Sequence, residues 1–265
     1  MYSDQGLYKK PIIKESTEQF SKSPDEQVKI RDTMQNEFIN IVAHELRTPI
    51  QPILGLTEIL RHRIKDTEQL QLLDAIVRNA KRLQQLTDDI LDITQIEHHS
   101  LTVTKEQFNL NEVITNIIDD IIPDRHLYKN GKIIKLLYRP NDVFVEADKG
   151  RIIQVISNLL TNALKFTKKG FVSIEVEEKK REKGKQKKVV IMVKDTGIGL
   201  DSQILPKLFS KFATKSHRHR EGGMGLGLFI CKNIIEAHDG RIWAENNADG
   251  KGATFTFILP AYIKK

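Results

Sequence analysis

Cysteine is almost absent from the chain: Cys231 stands alone among 265 residues. A single thiol excludes an intramolecular disulfide framework and fits a reducing, cytoplasmic setting. Long apolar runs are missing too. No stretch approaches the ~20 apolar residues of a membrane-spanning helix, and the polar amino terminus is not a signal peptide. Any membrane or sensor portion of the parent protein is therefore expected outside this chain. Three enzyme signatures also fall short. His44-Glu45 opens like a zinc-protease helix, but the position of its second histidine holds Thr48. Gly223, Gly225 and Gly227 follow a hydrophilic loop and not a strand, which excludes a dinucleotide-binding fingerprint. No Gly-Lys-Ser/Thr is present to make a P-loop at these glycines.

What the chain does have is charge, with 42 Lys and Arg against 35 Asp and Glu and a net charge of +7. The basic residues are spread along the sequence. Their densest run (Lys179, Lys180, Arg181, Lys183, Lys185, Lys187, Lys188) lies between two β-type segments, as a solvated hairpin tip does. No nucleic-acid partner is expected. The length suits about two domains. Residues 1–25 are polar, carry Pro11 and Pro24, and read as a linker or lead-in. From about Asp25 to Lys65 apolar residues recur at helical spacing, among them Phe38, Val42, Leu46, Ile53 and Leu60. A polar turn at Asp66 and Thr67 follows, and the pattern resumes from Leu70 to Ile96. Residues 26–100 thus predict an antiparallel helical hairpin. One hairpin cannot cover both apolar stripes, so a second copy of the chain is expected to complete a four-helix bundle.

Residues 101–265 alternate in type. The pattern predicts helices over about 110–122, 149–165 and 225–238, with strands near 133–138, 143–147, 170–178, 187–194, 241–246 and 253–259. This order implies an α/β sandwich with helices on one face of a mixed sheet. The fold class is therefore multidomain, an all-α hairpin followed by an α/β sandwich.

Four segments can carry chemistry. His44 lies mid-helix between Ala43 and Glu45 and need not belong to the apolar stripe. A neutral imidazole is a competent nucleophile, and an adjacent carboxylate can accept or orient its ring proton, which suits phosphoryl transfer. Thr48, one turn on, shares that face and can orient a water for the reverse hydrolysis. Pro49 lacks an N–H, so a kink is expected just after the site. On the helix over about 149–165, Asn158, Asn162 and Lys165 project from one side. They suit a Mg²⁺–triphosphate, with amide oxygens on the hard cation and the ammonium on phosphate, although a plain polar outer face has the same look. Asp195, at a strand end before Gly197 and Gly199, can accept from the exocyclic amine of adenine, or simply make a turn. Gly223, Gly225, Leu226 and Gly227 open a helix whose first N–H groups can meet phosphates. Before them runs a polar, lid-like loop containing His217 and His219, which read as solvated and not as metal ligands. Leu208, Phe209 and Phe212 are expected to anchor its hinge.

In this order and spacing the segments resemble the H, N, G1, F and G2 boxes of sensor histidine kinases, over about residues 26–260. The resemblance implies a dimerisation and histidine-phosphotransfer domain (26–100) followed by an ATP-binding domain of the GHKL type (101–265). By position, His44 resembles the phosphoacceptor, Glu45 its acid/base partner and Thr48 a phosphatase-assisting residue. Asn158 and Asn162 match the Mg²⁺–phosphate asparagines, Lys165 the phosphate-binding lysine and Asp195 the adenine-reading aspartate. Gly197, Gly199, Gly223, Gly225, Leu226 and Gly227 fall in the two glycine boxes and Phe212 in the F box. ATP and Mg²⁺ are implied, with a homodimer and the receiver domain of a response regulator as partners. Pro52, a second proline after Pro49, departs from the family's usual pattern. A clamp-driving ATPase would leave His44-Glu45 on a hairpin without a purpose. A kinase-dead interaction module would have lost Asp195, Asn162 or the glycines.

Overall fold

The computed structural model of the chain describes residues 24–122, 126–129, 132–179, 187–213 and 225–261. The expected lead-in at 1–25 lies outside these residues except for Pro24 and Asp25, which already form the first turn of a helix.

Two long helices come first, α1 (Pro24–Arg63) and α2 (Thr67–Glu97). Asp66 stops the chain between them and caps α2, its Oδ1 accepting from Gln69 N at 2.8 Å. Buried positions recur every seven residues along both: Ala43, Ile50 and Thr57 on α1, and Leu73, Ala80, Thr87 and Thr94 on α2. That repeat is the seam of two antiparallel helices packed knobs-into-holes. Arg47 pairs with Asp88, and Arg61 Nη1 lies 3.0 Å from Asp74 Oδ1. Fourteen residues on one helix thus match fourteen on the other. α1 runs on as helix through Pro49 and Pro52, and no break interrupts it at the expected kink. The prolines still remove the N–H groups that would bond the carbonyls of Glu45 and Thr48.

The remainder is an α/β sandwich. Its strands are β1 (Glu106–Asn109), β2 (His126–Lys129), β3 (Lys132–Tyr138), β4 (Phe144–Ala147), β5 (Lys169–Lys179), β6 (Lys188–Asp195), β7 (Arg241–Asn246) and β8 (Ala253–Pro260). The helices are α3 (Leu110–Ile121), α4 (Lys149–Phe166) and α5 (Gly227–Ala237). β1 and β4 make a small antiparallel pair, and the main sheet has the order β2-β3-β5-β6-β8-β7. Only β3 and β5 run parallel in it; the other neighbours are antiparallel. β5 and β6 pair as far as Lys179↔Lys188, so the basic run joins two antiparallel strands, and its middle lies outside the described residues.

Alternation along β6 puts Val189, Ile191 and Val193 on the helix-covered face. Ile152, Val155, Ile156, Leu159, Leu160 and Ala163 of α4 are buried there with α3 and α5. Ile93 and Ile96 from the end of α2, and Leu101 beyond it, pack against the same core. The hairpin and sandwich therefore share apolar contact.

Leu160 is fully buried at the centre of this layer. Leu160→Ala is expected to cost about 2–5 kcal/mol by urea unfolding. A loss below ~1 kcal/mol would show that the α4 face is not the core described here.

Candidate active site

α4 positions the first group of candidate residues. Its apolar face is fixed by the sheet, so the stripe bearing Asn158, Asn162 and Lys165 is turned to the edge of the sandwich and is half-buried. Asn162 Nδ2 donates to Asn158 Oδ1 at 2.9 Å, locking the two amides together. The Lys165 ammonium stands 5.2 Å from the centre of the Phe166 ring. A Cβ on Gly227 would collide with the Asn158 amide, so only glycine lets the amino end of α5 approach this close. Leu226 is buried behind it and no side chain caps the helix. The first N–H groups of α5 are thereby delivered beside the asparagines, where anions are favoured.

Asp195 continues the inward alternation of β6, so its carboxylate points into the seam between sheet and α4 and is only 4% exposed. Oδ1 accepts from Gly197 N at 2.7 Å. Burial pushes its pKa above the ordinary carboxylate value of 3.8, partly offset by backbone donors from Gly197 and Ala253. A Cβ on Gly197 would strike the Phe166 carbonyl, which draws this loop against the end of α4. Gly199 sits at φ 71°, and the loop is closed by Asn246, which accepts from Leu200 N at 2.6 Å and donates to Leu200 O at 2.9 Å. Asn247 donates to the carbonyls of Asp195 and Lys251 at 2.8 and 2.7 Å. These two asparagines were not singled out from the sequence. Their signal was an Asn-Asn pair at a strand end followed by Gly250 and Gly252.

The hinge differs from expectation in one respect. Leu208 is buried and Phe209 packs on the core, but Phe212 is 63% exposed. Its backbone is left-handed, at φ 59°, and the backbone of Gly225 lies against it. Gly223 and the lid histidines His217 and His219 lie outside the described residues.

The structure brings Asn158, Asn162, Lys165, Asp195, Gly197, Phe212, Gly225, Leu226 and Gly227 around one end of α4. It does not bring His44, Glu45 or Thr48 there. Those remain on α1, where the His44 side chain is 74% exposed. His44 Nδ1 is 3.9 Å from Glu45 Oε1, beyond hydrogen-bond reach, so Glu45 must change rotamer or act through a water. Thr48 Oγ1 donates to the His44 carbonyl at 3.0 Å, leaving its lone pairs available. Among the described residues no cluster of three or more His, Cys, Asp or Glu could hold a metal ion. The amide oxygens of Asn158 and Asn162 suit a hard cation but are too few to cage one. They fit a Mg²⁺ that arrives with phosphate oxygens in its shell.

Comparison with known proteins agrees with this division. Residues 147–263 match the family of histidine kinase-, DNA gyrase B- and HSP90-like ATPases. Residues 34–99 match the His Kinase A phospho-acceptor domain. Among solved structures the chain is similar to full-length ShkA in complex with AMPPNP, at 24% identity and a TM-score of 0.64 over 86% of this chain. It spans 46% of the ShkA chain, about half its length. It is also similar to the Acinetobacter baumannii histidine kinase AdeS, at 25% identity and a TM-score of 0.55, over 83% of this chain and 98% of that one. Among the described residues no helix is long and apolar enough to cross a membrane.

The raised pKa of Asp195 gives a signed expectation. Its carboxylate gains a proton, and stops being a full acceptor, at a pH above the usual range. With Asp195 in the adenine-accepting role that the sequence suggests for it, ATP affinity should fall on acidification sooner than an ordinary carboxylate allows. Asp195→Asn should remove that acid limb and weaken binding about ten- to a hundred-fold at neutral pH. Titration calorimetry of both proteins from pH 5 to 8 checks this. Parallel pH curves would remove Asp195 from the adenine site.

Proposed function

We propose that this chain, which belongs to the sensor histidine kinases, binds ATP with Mg²⁺ in its sandwich domain and transfers the γ-phosphoryl group to His44. The observation that carries this is the convergence, on one end of α4, of a paired amide face, a glycine-opened helix terminus and a buried carboxylate, in a chain that also exposes a histidine on a helical hairpin.

In this account Asp195 accepts from the adenine amine, which selects ATP over GTP. Lys165, the N–H groups that open α5 and the glycine backbone hold the phosphates. Asn158 and Asn162 would hold Mg²⁺ through their amide oxygens, and the ion would supply neutralisation of the phosphate charge. The residues otherwise act by positioning, as phosphoryl transfer requires. A nitrogen of His44 forms a bond to the γ-phosphorus as the bond to the ADP oxygen breaks. Glu45 takes or orients the proton on the other ring nitrogen. The working parts are residues 26–100, for dimerisation and phosphotransfer, and 101–265, for nucleotide binding. Phosphohistidine then passes its phosphoryl group to an aspartate of a response-regulator receiver domain, which docks on the hairpin below His44. Thr48 serves the opposite reaction, orienting water against the regulator's acyl phosphate.

Dimerisation is supported by what the single hairpin leaves uncovered. Ile41, Leu56, Ile59, Leu72 and Ile76 are each at least half exposed. A second hairpin covering them completes a four-helix bundle.

Two sets of variants test this. His44→Gln should abolish phosphorylation from labelled ATP while ATP affinity stays within a few-fold, since acceptor and nucleotide site sit on different elements. Label retained on the variant would identify another acceptor. Glu45→Ala should slow autophosphorylation by ~10²-fold or more. Thr48→Ala should keep most of that step and lose phosphatase activity toward the phosphorylated regulator. Equal damage to the kinase step by both substitutions would end the division of labour between them.

A further inference from the structure

The two helices that flank the candidate phosphate site are also joined at their far ends. His238, 1% exposed, closes α5, and its Nε2 accepts from Asp148 N at 2.9 Å. A backbone N–H can only donate, so Nε2 presents its lone pair and the ring hydrogen sits on Nδ1. Nδ1 lies 2.8 Å from the Ile234 carbonyl, to which it donates one turn back on α5. Both ring nitrogens are thus occupied, at the end of α5 farthest from its glycines. Asp148 is itself fixed. It caps α4 through Oδ1, which accepts from Arg151 N, while Oδ2 accepts from Thr104 N, both at 3.0 Å. Beyond His238 the chain turns at Asp239, with φ 59°, and a Cβ on Gly240 would strike the Ile258 carbonyl of β8.

The spans along the two helices match. His238 and Gly227 are eleven residues apart on α5, and Asp148 and Asn158 are ten apart on α4. At 1.5 Å per residue these spans are about 17 and 15 Å. The helices run antiparallel, since His238 meets Asp148 and Gly227 meets Asn158. The second meeting has no slack, because a Cβ on Gly227 would lie 2.2 Å from Asn158 Nδ2. Between these two points the contact face of α5 is apolar, with Ile230, Cys231, Ile234 and Ile235 buried in the core. Apolar packing holds a helix without direction, whereas a hydrogen bond from backbone to ring fixes its position along the axis. A slip of one residue would carry the first N–H groups of α5 about 1.5 Å along Asn158. A hydrogen bond to phosphate tolerates about 0.5 Å.

We propose that His238 is a positioning residue for the triphosphate: its ring sets the register of α5 on α4 and so places the N–H groups that open α5 beside Asn158. It acts through the helix, from about 17 Å away. The adenine end is carried separately, by Asp195 on β6 and the loop after it. This role deepens the nucleotide reading of the site and rests on it.

Calorimetric titration of the full chain with Mg²⁺ compares ATP with adenosine, which has no phosphates to place. His238→Leu fills the ring's place without an acceptor and should weaken ATP about tenfold, with adenosine within about two-fold. His238→Gln keeps an acceptor for Asp148 N and should recover most of the ATP affinity. A role in stability alone lowers the unfolding temperature of His238→Leu and leaves both affinities of the folded protein as they are. That result overturns the proposal, as does equal loss for the two ligands. Where His238→Leu does not fold, amide exchange on the wild-type chain decides. Coupling between the two ends is reciprocal, so ATP should slow exchange at Asp148 N–H several-fold and adenosine should not. Equal exchange with both ligands overturns the proposal. A wild-type chain that binds no ATP ends the nucleotide reading and this role with it, whereas failure in the variants alone leaves that reading standing.

Discussion

Burial of the apolar face of α4 against the sheet fixes where the polar groups of this molecule can point. Ile152, Val155, Ile156, Leu159 and Leu160 have no exposed surface, so the helix cannot rotate without opening the core. With that face committed, the stripe from Arg151 to Lys165 has one direction left. Its first turns meet α2 and its later turns meet the glycines of α5 and the loop after β6. A helix that only filled space would not carry two asparagines bonded to each other on that stripe, where they cost helix propensity.

Function is placed where the fold is under tension. Asp195 is a carboxylate that burial drives toward its neutral form, yet the proposed contact with an adenine amine calls for its charged form. The loop around it is held by Asn246 and Asn247, and Gly252, at φ 80°, passes directly over its carbonyl. Phe212 adopts a left-handed backbone with its ring toward solvent at the margin of the same site. Strain and desolvation of this kind persist because the packed sheet and helices over-determine the surroundings.

Much of the fold was legible because its signals are periodic. The hairpin declared itself through helical spacing, and the strands of the main sheet through apolar runs such as Val189–Val193. β1 and β2 were not anticipated. Each has four residues, and Glu106-Gln107-Phe108-Asn109 and His126-Leu127-Tyr128-Lys129 are too short and mixed to show alternation. In the site, residue types and spacing pointed to His44, the α4 stripe, Asp195 and the glycines. The side chains that organise them did not stand out. Asn246 and Asn247 act through backbone groups some fifty residues away in sequence, and Asp92 finds Arg151 across 59 residues. No local pattern encodes such pairs; they exist only once the core has brought the helices together. Pro49 and Pro52 do not end α1, whose Ile50 and Thr57 stay buried along the seam beyond the site.

The central claim is that a nucleotide held at the end of α4 gives up its phosphoryl group to one imidazole on another element. Tandem mass spectrometry at alkaline pH, on the wild-type chain after incubation with ATP and Mg²⁺, tests it most directly. The account predicts a single phosphoryl group on the peptide containing His44, lost on brief acid treatment and stable to alkali. Phosphate on a serine or threonine, or on His98 or His99 beyond the hairpin, would contradict it.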